Sequence, residues 1–461
     1  MPVNSGPPEN ALADPSLRRQ GHNHAIDDAL AEARQSYVAR NTFSGALFER
    51  AQDVMPGGNT RSALHFDPFP LYMASSAGAF VEDVDGHRYL DVLGEFTAGL
   101  YGHNDPLIRE AVTQTLEGGI SNGAPGEAEI ELAALMRQRF PSLERIRFCN
   151  SGTEANLYAL TLARAATGRT NLVCFRGAYH GGVFVFADGG SAMNAPFDWT
   201  VCRYNDAEEA SHVIDQLGPS LAAVIVEPML SNGGCIPATT EFLQVLRERT
   251  AAHGAILIFD EVVTSRMGAG GLQGLYGICP DLTTFGKYLG GGFSFGAFGG
   301  RADLLDHMNP MRPNALPHAG TFNNNLFSMR AGVVGLEKIY AAERAEAFLR
   351  TGERLRSRLN ELAAPHGLGV QFTGVGSAMN IHFHNGEIRC PEDIAVEPQQ
   401  LFQLFHFDLM ENGIYAARRG QINLSLPMGD KEFDTIVLAV QAFLERRSPL
   451  LSNVGVNGQS Q

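Results

Sequence analysis

Ala255-Ile256-Leu257-Ile258-Phe259 runs without a polar break into Asp260-Glu261, and Lys287 follows in Thr284-Phe285-Gly286-Lys287-Tyr288, ahead of Leu289 and Gly290-Gly291-Gly292. The apolar run predicts a buried strand that delivers a carboxylate at its end. The lysine is then set beside a glycine cluster. Pyridoxal phosphate chemistry needs this pairing: the lysine amine forms a Schiff base with the cofactor aldehyde, and the carboxylate pairs with the protonated pyridine nitrogen. A ring kept cationic takes up the electrons released when a substrate C–H bond breaks. Taken alone, the stretch also fits a buried strand ending in a solvated Asp, with a surface Lys near a loop.

Outward from this stretch, the pattern from residue 106 to about 339 is strand then helix, repeated. Residues 171–175, 222–226 and 255–259 read as apolar strands, and residues 155–166, 207–217 and 240–253 as the helices between them. Repeated βα units imply an α/β fold with a mainly parallel sheet covered by helices, and with ligands at the carboxyl ends of the strands. Glu227 and Asp260 both stand directly after their strands, which makes each a candidate for ligand contact. Residues 25–40 read as a helix, Pro56-Gly57-Gly58-Asn59 as a turn, and residues 79–92 as a hairpin around Asp85-Gly86. Beyond about residue 340 a charged helix (343–362) leads into mixed strands and helices. The expected division is a flexible tail (1–24), an N-terminal segment of a smaller domain (25–95), a large cofactor-binding domain (96–340), a C-terminal small domain (341–447) and a second tail (448–461).

Composition bounds the function. The 461 residues are 44% hydrophobic and 18% charged, an ordinary globular profile with room for a sizeable core. A formal charge of −15 argues against nucleic-acid partners, whose phosphates need concentrated Lys and Arg. No run of about 18 apolar residues suggests a membrane span. The first residues, rich in Pro, Asn, Gly and Ser, lack the apolar core of a secretory signal. The six cysteines form no C-x-x-C pair or metal spacing and read as small core fillers of a reducing compartment, so a cytoplasmic enzyme is expected.

Three further segments carry chemistry. Asn150-Ser151-Gly152-Thr153-Glu154-Ala155-Asn156 opens a predicted helix, where hydroxyls and free N–H groups make a phosphate cradle, though the same residues suit a plain helix cap. Tyr179-His180-Gly181-Gly182 follows a strand, so the Tyr179 ring can stack on the pyridine, while His180 reads chiefly as a satisfied buried histidine. His318-Ala319-Gly320-Thr321-Phe322-Asn323-Asn324-Asn325 could bring Thr321 to the phosphate or be a capped loop.

Together these segments resemble the class III pyridoxal-phosphate aminotransferases of fold type I, over roughly residues 56–427. The resemblance implies a large domain with a mainly parallel sheet between helices, plus a smaller α+β domain. It also implies pyridoxal 5'-phosphate as cofactor, with Lys287 as the Schiff-base lysine, Asp260 as the pyridinium partner and Val262 packed on the ring. Ser151, Gly152 and Thr153 fall at the phosphate. Thr321 would reach it from the neighbouring subunit, so a homodimer with composite active sites follows from the family.

Within the class, the layout is similar to the glutamate-1-semialdehyde aminomutases and to the aromatic β-amino acid (β-phenylalanine) aminotransferases, and several segments tilt toward the second. Asn59-Thr60-Arg61-Ser62 puts Arg61 where those enzymes carry a substrate-carboxylate arginine. Glu95-Phe96-Thr97-Ala98-Gly99-Leu100-Tyr101-Gly102-His103 resembles theirs, including the aromatic at Tyr101, as do Gly292-Phe293-Ser294-Phe295-Gly296 and the Thr321 segment. Tyr415-Ala416-Ala417-Arg418-Arg419-Gly420 places Arg419 at a second carboxylate-binding arginine, and Arg418 beside it leaves open which one turns inward. Two arginines suit a site in which an amino donor and a keto-acid acceptor, both carboxylates, take turns. The expected reaction moves an amino group from an aromatic β-amino acid to 2-oxoglutarate or pyruvate, with Lys287 as general base and acid. The rival readings are the aminomutase and an aminotransferase of ω-amines or α-amino acids. Phe66, Phe69 and Tyr101 are candidates for an aromatic pocket, or for core.

Overall fold

The chain begins with helices α1 (Pro15–Arg40) and α2 (Thr42–Gln52), in a computed structural model that describes residues 15–451 apart from Asp188 and Leu368. Helix α1 starts at Pro15, ten residues before the helix expected over 25–40, and residues 1–14 of the expected tail lie outside the described residues. Proline at the first helical position suits a helix start, because its missing N–H has no intrahelical partner there. The stripe of Ile26, Leu30, Ala33 and Tyr37 is buried, and Tyr37 meets Phe407 at a ring distance of 5.4 Å on the helix Gln399–Glu411.

Three antiparallel strands follow, β1 (Met73–Ala77), β2 (Phe80–Asp83) and β3 (Arg88–Asp91), with the expected turn at Gly86 between the last two. Helices α3 (Pro106–Gly118) and α4 (Glu127–Arg139) lead to the central sheet. Its strands are β4 (Arg145–Cys149), β5 (Asn171–Phe175), β6 (Asp198–Cys202) and β7 (Leu221–Val226). After a short ribbon of β8 (Met229–Leu230) and β9 (Ile236–Pro237) come β10 (Ile256–Asp260), β11 (Leu282–Gly286) and β12 (Gly296–Gly300). The spatial order is β4-β12-β11-β10-β7-β5-β6, and all pairs are parallel except those made by β12. Every residue of β7, β10 and β11 is buried, as expected of strands with helices on both faces. The helices Gly152–Thr167 (here α5), Ala207–Leu217 and Thr240–His253 supply that cover.

Beyond the sheet, the amphipathic helix Ala342–Ala363 packs on β13 (Val370–Val375), which pairs with β14 (Ala378–Phe383). Strand β15 (Ile414–Tyr415) returns to pair with β3, and β16 (Gln421–Asn423) with β14. The last helix, Asp430–Leu451, runs past the expected tail boundary at 448, because its apolar face continues to a fully buried Leu451. Residues 452–461 lie outside the described residues. All six cysteines are free thiols, and five are buried; Cys279 is exposed, against expectation, in the loop before Pro280-Asp281. No helix among the described residues is long and apolar enough to cross a membrane.

This topology gathers the polar residues that follow each parallel strand on one edge of the sheet. Asn150 follows β4, Tyr179 closes the turn after β5, Glu227 follows β7, Asp260 ends β10 and Lys287 follows β11.

Candidate active site

At that edge lies a cavity of about 780 Å³ whose walls include Ser151, Gly152, Thr153, Tyr179, Glu227, Asp260, Val262 and Lys287. Lys287 stands on a left-handed backbone (φ +56°), directly after the fully buried strand β11. Burial pulls its amine below the ordinary lysine range, the Asp260 and Glu227 carboxylates oppose that, and the Arg419 and Arg61 guanidinium groups add to it. An amine that loses its proton readily is the form that attacks an aldehyde.

Asp260 is fixed by three donors. Its Oδ2 accepts from His180 Nδ1 (2.8 Å) and Asn156 Nδ2 (2.8 Å), and its Oδ1 from the Val262 N–H (3.0 Å). Asn156 is held in turn, since its Oδ1 accepts from Thr284 Oγ1 at 2.6 Å. His180 is buried, and its Nε2 has no partner among the described residues. A ring proton on Nδ1 makes His180 the donor in its bond to Asp260. Sequence reasoning gave His180 little weight, because a histidine after an aromatic residue carries no signal of the carboxylate it meets across the sheet. Asn156 was missed for the same reason.

Ser151 caps α5, its Oγ accepting from the Glu154 N–H at 3.1 Å, while Glu154 reaches back to the Asn150 N–H at 2.9 Å. Among the described residues the Ser151 hydroxyl proton and the N–H groups of Gly152 and Thr153 have no partner, so the cap and the anion cradle coexist. Thr153 Oγ1 takes the Gly182 N–H at 3.3 Å, and a Cβ built on Gly181 (φ +118°) would stand 2.3 Å from that oxygen. The Val262 side chain packs on Gly152, where a Cβ would come within 2.8 Å of both its methyl groups. Glu227 is buried and accepts from the Tyr179 N–H (2.9 Å), the Ser231 N–H (3.1 Å) and Ser231 Oγ (2.7 Å). Burial raises its carboxyl, with Asp260 adding to the rise and His180 opposing it. The bonds that hold Glu227 also fix the start of the Tyr179 loop, whose ring stays exposed to the cavity.

Both expected arginines line the cavity. Arg61 pairs with Glu95 at 2.8 Å, and Arg419 donates to Asn232 and, through Nε at 3.2 Å, to Gln421. Arg419 faces inward and Arg418 is exposed, which answers the open choice between them. Phe96, which the sequence did not single out, lies 5.9 Å from the Arg61 guanidinium and 5.3 Å from that of Arg419, centroid to carbon.

Some expected residues lie elsewhere. Tyr101 is buried in the core, 6.1 Å from the Tyr288 ring, with its hydroxyl against Gly335. Phe96, in the left-handed run of Gly94, Glu95, Phe96 and Thr97, lines the cavity instead. Phe66 packs edge-on against His406 and Phe69 against Tyr37, both in the core around α1. Thr321 is exposed and does not line its own chain's cavity. A buried amine, a fixed carboxylate and a helix-terminal hydroxyl cradle form a donor set that fits pyridoxal phosphate.

The family model described as Aminotransferase class-III matches residues 62–423. The chain is 49% identical to β-phenylalanine transaminase of Variovorax paradoxus, covering 93% of this chain and 98% of that one. A solved β-phenylalanine aminotransferase from the same organism superposes with a TM-score of 0.91 at 48% identity, over 92% of this chain and 99% of the other. An ω-transaminase from Sphaerobacter thermophilus gives 0.82 at 37%, over 87% and 97%. A glutamate-1-semialdehyde aminomutase from Pseudomonas aeruginosa PAO1 reaches 0.84 at only 20%, over 91% and 98%, a likeness of fold.

Proposed function

We propose, for a chain that belongs to the class III aminotransferases, that it moves the amino group of an aromatic β-amino acid to a keto acid such as 2-oxoglutarate or pyruvate. The enzyme is a pyridoxal-phosphate-dependent aminotransferase, and its substrates are small amino and keto acids. The observation that carries the donor reading is the presence of two guanidinium groups, Arg61 and Arg419, on the one cavity that holds the Lys287 amine. A β-amino acid sets its carboxylate one carbon further from the amine than an α-amino or α-keto acid does. With the reacting nitrogen fixed, donor and acceptor carboxylates fall at different places, and one arginine for each resolves the mismatch.

Bound pyridoxal phosphate supplies the electron sink that makes the substrate C–H bond acidic. Ser151, Gly152 and Thr153 would hold its phosphate, Tyr179 and Val262 would face its ring, and Asp260 would pair with its protonated nitrogen. Lys287 would hold the cofactor through its Nζ, and the same Nζ would move the proton at the substrate carbon. Glu227 orders the Tyr179 loop.

In the same reading the enzyme is a homodimer in the cytoplasm, and Thr321 of each chain completes its neighbour's phosphate site. The exposure of Leu116, Ile120, Ile130 and Phe322 supports an apolar contact between chains, and six free thiols suit a reducing compartment. The test is formation of glutamate or alanine when the holoenzyme is given β-phenylalanine with 2-oxoglutarate or pyruvate. No amino transfer from β-phenylalanine, together with acceptor-free turnover of glutamate-1-semialdehyde, would replace this reading with the aminomutase.

A further inference from the structure

Arg61, Glu95, Phe96 and Arg419 meet on one wall of the cavity, and the backbone that brings them there is unusual. Gly94, Glu95, Phe96 and Thr97 are all left-handed, with φ of +53°, +48°, +51° and +79°. Three consecutive side-chain-bearing residues adopt this conformation only where the surroundings enforce it. Here the surroundings are explicit. Asp91 Oδ1 accepts from the Leu93 N–H (3.0 Å) and the Gly94 N–H (2.9 Å), and the Gly99 N–H donates to the Gly94 carbonyl (2.9 Å). Arg266 Nη1, wholly buried, donates to the Thr97 carbonyl at 2.8 Å, and Asn423 Nδ2 to the Leu93 carbonyl at 2.8 Å.

This fastened turn presents a carboxylate to Arg61, one of the two arginines read above as substrate-carboxylate sites. Glu95 Oε1 lies 2.8 Å from Arg61 Nη1, and the two side chains are 55% and 47% exposed. An ion pair that open to water is weak enough to exchange. A substrate carboxylate needs the same N–H fork.

We propose that Glu95 is a built-in competitor for the substrate carboxylate on Arg61, and so sets how strongly the enzyme separates amino donors that carry a carboxylate from those that do not. The proposal rests on the reading of Arg61 as a carboxylate site. A carboxylate-bearing donor displaces Glu95 from the guanidinium. A donor without one leaves the Glu95 pair in place, so it meets no unpaired cation. Phe96, in contact with both guanidinium groups, keeps Arg61 beside the cavity while its partner changes.

The test compares wild-type holoenzyme with Glu95→Gln, which keeps size and hydrogen bonding but not charge. It reads KM for β-phenylalanine and for 1-phenylethylamine, and Kd for the unreactive 3-phenylpropanoate from the cofactor absorbance band. The substitution is expected to lower the β-phenylalanine KM and the 3-phenylpropanoate Kd about two- to fivefold, the worth of an exposed ion pair. The 1-phenylethylamine KM is expected not to fall. Glu95→Asn, which tolerates the left-handed backbone, is expected to act in the same direction. Unchanged or raised KM and Kd for the carboxylates, or an equal fall for 1-phenylethylamine, would overturn the proposal. Arg61→Met separates the two levels. If it raises the β-phenylalanine KM while Glu95→Gln changes nothing, only the role of Glu95 falls; if it leaves KM unchanged, the carboxylate reading of Arg61 falls too.

Discussion

Removing the imidazole behind Asp260 tests how the site holds its carboxylate in place. In His180→Ala, Asp260 Oδ2 loses a 2.8 Å hydrogen bond and keeps the one from Asn156, while Oδ1 keeps the one from the Val262 N–H. Both side chains are buried, so water does not simply replace the lost donor. A hydrogen bond to a charged group contributes about 1.5–3 kcal/mol, which is about a 10- to 100-fold effect at 1.4 kcal/mol per decade. The sign follows from what the donor does: it fixes Oδ2 in place, so its loss leaves Asp260 less well held and a poorer partner for a cationic ring nitrogen. The expected result is a kcat for β-phenylalanine lowered about 10- to 100-fold and a faster loss of cofactor on dialysis, followed by absorbance. His180→Asn offers a donor from nearly the same place and is expected to recover most of both. If His180→Ala matches the wild type, or if the Asn variant is as impaired as the Ala variant, Asp260 does not depend on this hydrogen bond.

Arg419→Lys keeps the charge but loses the planar fork, so the acceptor's KM is expected to rise about tenfold with a smaller change in kcat, in steady-state assays with 2-oxoglutarate. Tyr101→Phe is expected to leave the KM of aromatic donors and the melting temperature near wild type, since its buried hydroxyl has no partner among the described residues, whereas Phe96→Ala is expected to change donor KM. Burial holds the His406 imidazole down to about 4, with its hydrogen bond to the Ala416 carbonyl opposing that and Arg418 adding to it. Because the unfolded chain takes up this proton near pH 6.5 and the folded one only near 4, the residue costs stability progressively as pH falls through that window. The full cost is about 3 kcal/mol, and His406→Gln is expected to flatten the acid limb of the urea-unfolding midpoint between pH 6.5 and 4.

The parts of the site that could be read in advance are those where local sequence and global topology say the same thing. An all-apolar run such as Ile256–Phe259 is buried wherever it lies, so the polar residue that ends it must sit at the sheet edge, and Asp260, Glu227 and Lys287 were legible for that reason. The cap residues Ser151 and Glu154 announce a helix start by chemistry that acts within four positions. His180 and Asn156 reach Asp260 across gaps of 80 and 104 residues, and nothing local marks such a meeting. The left-handed run at Gly94–Thr97 was invisible as well. Only its first residue is glycine, and besides the nearby Asp91 the run is held by Arg266 and Asn423 from two distant segments. Phe96, in that run, lines the cavity where Tyr101 was expected. At the C-terminal end, composition suggested a tail from 448, yet the apolar stripe of Asp430–Leu451 finds partners in the folded chain as far as Leu451.

The most direct measurement is single-turnover absorbance of the cofactor in the purified holoenzyme mixed with β-phenylalanine alone, then with 2-oxoglutarate or pyruvate. The account predicts rapid loss of the aldehyde-form band on adding β-phenylalanine and its return on adding the keto acid, with neither change in Lys287→Ala. A band that β-phenylalanine leaves untouched while α-amino acids or simple arylamines discharge it would contradict the account.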